Sequence, residues 1–117
     1  MNSLGEKIRI IRESNNMLLR QVAAHLEIDT ALISKIERGE RRLSRTQVIK
    51  LAKFYNVAEE DLLTLWLSDK VLDSLENDPF AMQGLNKAKT ILKTLLLKAK
   101  TNILFELRER TSLKHII

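Results

Sequence analysis

Residues Met17–Gly39 read MLLRQVAAHLEIDTALISKIERG. Two short segments of helical apolar spacing flank a break. Val22, Ala23 and Leu26 belong to the first, and Leu32, Ile33 and Ile36 to the second. Glu27, Ile28 and Asp29 lie between them. A carboxylate at Asp29 can accept from the free backbone N–H groups that open the second helix. Ala23 is small where two helices would cross closely, and Ile28 can fill the angle between them. The spacing predicts one helix from about Leu18 to Leu26 and a second from Thr30 to Glu37.

Two helices joined this tightly make a helix-turn-helix, a motif whose second helix can enter a DNA major groove. The stretch resembles the helix-turn-helix of the phage-repressor-like (Cro/C1, XRE) regulators. The likeness rests on Ala23, Ile28, Ile33-Ser34 and Glu37-Arg38-Gly39, which fall in the family's order and spacing. It extends from about Leu4 to Leu67. Two positions depart from the pattern. Leu19 stands where the family usually has Gln, and Glu27 where it often has Gly. The second departure implies a turn that does not need a left-handed glycine conformation.

The outward side of the second helix offers Thr30, Ala31, Ser34 and Lys35. The resemblance assigns base reading to Thr30, Ala31 and Lys35, with Ser34 near the groove. The chemistry suits this: Thr and Ala methyls fit a thymine methyl, and a Lys reaches guanine O6 or N7. The next loop is densely basic, with Arg38, Arg41, Arg42 and Arg45 around Gly39. Guanidinium forks match phosphate oxygens, and Arg20 and Gln21 join the candidate phosphate contacts. Glu37 is expected to turn inward and hold the loop, and His25 to lie on the surface.

Charge is unevenly spread. Net charge is +5 over 117 residues. Met1 to Asn56 carries 11 Lys and Arg against 6 Asp and Glu, while Val57 to Leu97 carries 4 against 7. The basic excess therefore sits with the helix pair, as a nucleic-acid-reading segment requires. With one Pro and three Gly, the chain reads as mostly helical. The absence of Cys excludes a disulfide scaffold and fits a reducing compartment. The N-terminal stretch is charged and amphipathic, and no run is apolar enough to span a membrane. The expectation is a soluble, cytoplasmic, all-α protein.

Outside the central pair, Leu4, Ile8 and Ile11 mark helix one, with Ser3 and Glu6 as a capping box. Ser44 and Gln47 form a second capping box, opening helix four. Its first N–H groups, at Arg45 to Gln47, can hold a phosphate. Glu59, Glu60 and Asp61 favour the start of helix five. These elements make a five-helix domain over residues 1–67, followed by a helical dimerisation segment over 68–117. Asn77-Asp78-Pro79 is a stop. Leu85, Ala88, Leu92 and Leu95 then mark a long helix from Phe80 to Leu97. It is followed by a polar interruption at Lys98 to Asn102, an extension of the helix or a short separate element at Ile103 to Leu107, and a frayed tail from Arg108. Leu113, Ile116 and Ile117 are candidates to dock.

The apolar excess beyond the first domain predicts a homodimer. Trp66, Val71, Leu72, Leu75, Leu85, Leu92 and Leu95 are its expected interface. There is no phosphate-binding glycine loop, no paired-His metal helix and no Ser-His-Asp arrangement, so neither an enzyme nor a cofactor is expected. Double-stranded DNA is the expected partner. The competing reading is an antitoxin-like or adaptor protein whose C-terminal helices bind another protein.

Overall fold

The computed structural model describes residues 3–116, and the side chains of residues 4–111. The described chain is all-α, with six helices: α1 (Ser3–Ser14), α2 (Leu19–Leu26), α3 (Thr30–Glu37), α4 (Arg45–Tyr55), α5 (Glu59–Leu75) and α6 (Ala81–Ile116). It divides into two compact units, Met1–Ser74 and Leu75–Ile117. No helix among the described residues is long and apolar enough to cross a membrane.

The first unit has one core. Val22, Ile33, Val48, Leu51 and Leu62 are almost wholly removed from water, so α2 to α5 each contribute to it. Leu4 and Ile8 close it from α1. Burial pushes the Tyr55 hydroxyl, beside this core, up to about 12.

Four of these helices end in the same way. A residue past the helix turns left-handed, and the next N–H reaches back to a carbonyl of the last turn. The returning bonds run from Met17 to Arg12, Ile28 to Ala23, Glu40 to Lys35 and Val57 to Ala52. The left-handed residues are Asn16, Glu27, Gly39 and Asn56. Asn and Gly suit that conformation, whereas Glu does not. Glu27 has φ 57° and ψ 42°. The turn between α2 and α3 is thus left-handed after all, contrary to the expectation drawn from its lack of glycine. The Ile28 bond to Ala23 and the packing of Ile28 against the core impose it. Glu27→Gly should therefore raise the unfolding free energy by about 1 kcal/mol, while Glu27→Ala should not. Urea denaturation checks this, and equal effects of the two substitutions would locate the strain elsewhere.

The helix starts follow the sequence. Ser44 Oγ accepts from Gln47 N–H at 3.2 Å, and Gln47 Oε1 accepts from Ser44 N–H at 2.9 Å. Asp29 accepts from Ala31 N–H at 3.4 Å. The Ser3 side chain of the expected α1 capping box lies outside the described residues.

Glu37 turns inward, as expected, and its partner there is α1. Arg12 Nε donates to Glu37 Oε2 at 2.8 Å, and Nη2 to Oε1 at 2.9 Å. The two side chains are 13% and 6% exposed. The same guanidinium donates from Nη1 to Met17 O at 2.9 Å. The hydrogen bond to Glu37 raises the Arg12 pKa further above its ordinary value. One residue thus joins α1, the loop after it and the end of α3. Removing one partner of a buried pair leaves an uncompensated charge, at a cost of about 3–5 kcal/mol. Arg12→Ala should lower the unfolding free energy by that amount. Adding Glu37→Leu should restore most of it, since no buried carboxylate then remains. A double variant no more stable than Arg12→Ala would refute this account.

Helix α5 continues past Leu67, where the sequence placed the end of the first domain. Asp69 lies on this extension and is 1% exposed. It accepts the N–H of Leu4 at 3.0 Å. Leu4 is in the first turn of α1, whose N–H groups have no partner within the helix. The extension therefore supplies a cap to α1.

Helix α6 is one uninterrupted element of 36 residues. The polar stretch from Lys98 to Asn102 does not interrupt it, and Arg108 does not begin a frayed tail. Lys and Ala are good helix formers, and nothing between Lys98 and Asn102 removes a backbone donor. The side chains of Leu113 and Ile116, and the whole of Ile117, lie outside the described residues.

Candidate nucleic-acid interface

Helix α3 presents an outer face at the surface of the first unit. Thr30, Ala31 and Lys35 are exposed along it, and Ser34 is half-buried. Ile33 and Ile36 fix the opposite side in the core. The three candidate base readers therefore share one exposed face.

Ser34 and Arg38 are coupled. Arg38 Nη1 donates to Ser34 Oγ at 2.6 Å, while Arg38 Nε pairs with Glu40 Oε1 at 3.1 Å. The hydrogen bond to Glu40 raises the Arg38 pKa, and the same bond lowers that of Glu40. Arg38 reaches a phosphate only in competition with this exposed carboxylate. A surface pair of this kind is weak enough to exchange.

The candidate phosphate contacts separate into different environments. Arg20 and Arg41 are exposed. Arg45 is exposed, with its guanidinium carbon 5.9 Å from the centroid of the Trp66 ring. Arg42 is exposed too, but its guanidinium is paired along α5. Its Nε donates to Asp73 Oδ2 at 3.0 Å, Nη2 donates to Oδ1 at 2.7 Å, and Nη1 lies 3.4 Å from Asp69 Oδ2. The hydrogen bond to Asp73 raises the Arg42 pKa and holds the Asp73 carboxyl below the usual carboxylate range. Arg42 thus anchors the basic loop to α5. Gln21 also has a local task, accepting the Leu18 N–H at 2.7 Å and capping α2. At the start of α4, Ser44 already takes the Gln47 N–H.

Trp66 lies in the core of its own unit at 7% exposure, with little surface left for a partner. Its Nε1–H donates to Leu43 O at 2.8 Å, which fixes the far end of the basic loop. Lys70 Nζ sits 3.8 Å from the ring centroid. His25 is exposed, as expected, and stacks on Phe54 with ring centroids 4.0 Å apart. Val71 and Leu72 are exposed on α5, and Leu92 and Leu95 on α6. Leu75 and Leu85 are half-buried. No group of three His, Cys, Asp or Glu among the described residues is arranged to hold a metal.

Asp69, Asp73 and Glu40 had no place in the sequence reading. Asp73 is 31 residues from Arg42 and Asp69 is 65 from Leu4, so no local pattern links them. Glu40, two residues from Arg38, was within reach of a local charge reading.

A family model described as a helix-turn-helix domain matches residues 3–65. The chain belongs to this family. It is 34% identical over 64 residues to the HTH-type transcriptional repressor RghR of Bacillus subtilis (strain 168), covering 54% of this chain and 47% of that one. The control protein C.BamHI of Bacillus amyloliquefaciens is 38% identical over 60 residues, covering 50% of this chain and 74% of that one. The HTH-type transcriptional regulator RghRB of Bacillus subtilis (strain 168) is 34% identical over 64 residues, covering 54% of this chain and 46% of that one. The chain thus spans about half the length of the two Bacillus subtilis relatives. No solved structure matches it.

The environments of the arginines generate a prediction. Neutralising a true phosphate contact reduces the salt slope of DNA binding by roughly one. Arg41→Ala and Arg45→Ala should each show that loss in binding titrations over a range of salt. Arg42→Ala should leave the slope unchanged, because its donors are taken by α5, and lower stability by roughly 1–3 kcal/mol, because the buried Asp69 loses a donor. A full unit of slope lost with Arg42→Ala would place its guanidinium on DNA instead.

Proposed function

We propose that the protein is a phage-repressor-like (Cro/C1, XRE) transcriptional regulator that binds a palindromic operator in double-stranded DNA as a homodimer. It acts in the cytoplasm, without catalytic activity or cofactor. The observation that carries the reading is the exposed face of α3. Thr30, Ala31 and Lys35 stand together on it, and Arg41 and Arg45 lie exposed in and just after the loop that follows. Base-edge chemistry and phosphate chemistry thus occur on consecutive elements of one unit. Family membership and the relatives, a transcriptional repressor and a control protein, support a regulatory role.

Selecting bound DNA from a random library tests the reading. A palindrome should emerge, with half-sites separated by a whole number of helical turns. Lys35→Ala should then weaken binding to the selected sequence far more than to random DNA. A good bidentate contact gives about 1–3 kcal/mol of discrimination, and a single Lys contact gives less. Equal losses on both DNAs would make Lys35 a phosphate contact.

The dimer is assigned mainly to residues after Trp66, with Leu85, Leu92 and Leu95 of α6 as its largest part and Val71 and Leu72 of α5 beside them. Truncation after Leu67 would delete Asp69 and with it the cap of α1, so the informative truncation ends at Leu75. Sedimentation of that truncation should give a folded monomer with weakened operator binding, and the full chain a dimer. A truncation that stays dimeric would place the interface on α5 instead. A monomeric full chain would transfer the apolar residues of α6 to a different protein, which is the antitoxin-like reading.

A further inference from the structure

Helix α6 carries an apolar repeat that passes through its polar centre. Leu85, Leu96 and Leu107 are eleven residues apart. So are Ala88 and Ala99, and so are Leu92 and Ile103. Within each repeat the steps are three, four and four residues. A strict seven-residue pattern from Leu85 would instead bring Asn102 and Glu106 onto the seam. Eleven residues in three turns is 3.67 per turn, close to the natural winding of an α-helix, and two such helices wrap with a right-handed supercoil. Leu92, Leu96, Ile103 and Leu107 on this line are 53–58% exposed, so the face has no partner within the described chain.

We propose that this seam binds a second copy of α6 in the antiparallel direction, with the two-fold axis between Leu97 and Lys98. This deepens the homodimer reading and rests on it. The seam is self-complementary. Along the line from Leu85 to Arg110 the steps read three, four, four, three, four, four, three, which is the same in both directions. Reversing the helix about that axis therefore lays the seam upon itself. Ala88 meets Leu107 of the second copy, Leu92 meets Ile103, and Leu96 meets Ala99. At each end Leu85 meets the aliphatic stem of Arg110, whose charged head reaches water. Small residues face large ones at the Ala layers, which lets the layers interdigitate at even spacing. A parallel pair in register would set Ala88 on Ala88 and Ala99 on Ala99, leaving thin layers between thick ones. A reversed copy of α6 supplies a large residue opposite each Ala, and the two-fold axis makes each of those matches twice, whereas a parallel copy makes none of them.

The edges agree with this arrangement. Leu95 and its copy fall on one edge, which explains why a shorter apolar stripe includes it. Lys89 and Lys100 fall on the other edge, where their stems cover the seam and their heads reach water. Phe105 points away from the seam. In the antiparallel pair the two Ala81 ends lie about 50 Å apart, at 1.5 Å per residue, whereas a parallel pair holds them side by side.

The chain has no Cys, so introduced thiols report directly on this geometry. Full-length Ala88→Cys and Leu107→Cys proteins are oxidised mildly, separately and as an equimolar mixture. The expected result is a disulfide-linked dimer that forms chiefly in the mixture and contains one chain of each kind. Efficient crosslinking of either protein with itself would overturn the antiparallel arrangement. Sedimentation of the uncrosslinked proteins distinguishes the remaining failures. A dimer that crosslinks in neither combination removes the seam and leaves the homodimer standing, whereas a monomer removes both. Leu96→Lys should dissociate the full chain and Phe105→Lys should not. Both positions are exposed in the single chain, so folding is not at stake. Equal behaviour of these two variants would also overturn the assignment.

Discussion

The buried fork between Arg12 and Glu37 is the constraint on which the outer face of α3 depends. It ties the last residue of α3 to the last turn of α1, and through Met17 O it ties in the loop that leads to α2. Both charges are largely out of water, so each is tolerable only in the presence of the other. An apolar contact at this place would tolerate small rotations of α3. A two-pronged hydrogen-bonded pair does not, because its geometry is fixed by planar groups on both sides. The face bearing Thr30, Ala31 and Lys35 is held in orientation by a polar interaction at the C-terminal end of its helix.

A second polar anchor works at the other end of the unit. Asp69 accepts the Leu4 N–H at the start of α1, and Arg42 spans Asp69 and Asp73. Trp66 binds Leu43 O from the same helix. Three residues of α5 thus hold the beginning of the first helix and the basic loop after the third. This explains why α5 is longer than the core alone requires. It also shows why a dense arginine loop is not uniformly available to a ligand. One arginine, Arg42, is paired with two carboxylates of α5, while its neighbours Arg41 and Arg45 are exposed without an ion pair to that helix.

Helix α6 obeys a different logic. Its long exposed face is a periodic apolar line without a partner among the described residues. In the first unit, specificity comes from a few buried polar pairs. In the proposed α6 pair it would come from the order of large and small side chains along a line. The first device fixes how helices of one chain meet, and the second would discriminate among partners by register.

The sequence by itself determined the helices of the first unit, the caps at Asp29 and Ser44, the inward turn of Glu37 and the exposed face of α3. These are local properties, set by apolar spacing and by side chains within one turn of the groups that they satisfy. It did not determine the partner of Glu37, the pairing of Arg42 with α5 or the burial of Trp66. Each depends on a residue at least 23 positions away, brought near only by packing. The left-handed Glu27 belongs with these. Its own preference opposes the conformation, and the bond from Ile28 to Ala23 together with the burial of Ile28 overrides it. The unbroken course of α6 was decided in the other direction. Polar residues predict an interruption, but every residue from Lys98 to Asn102 keeps its backbone donor, so the helical hydrogen-bond ladder runs on through them.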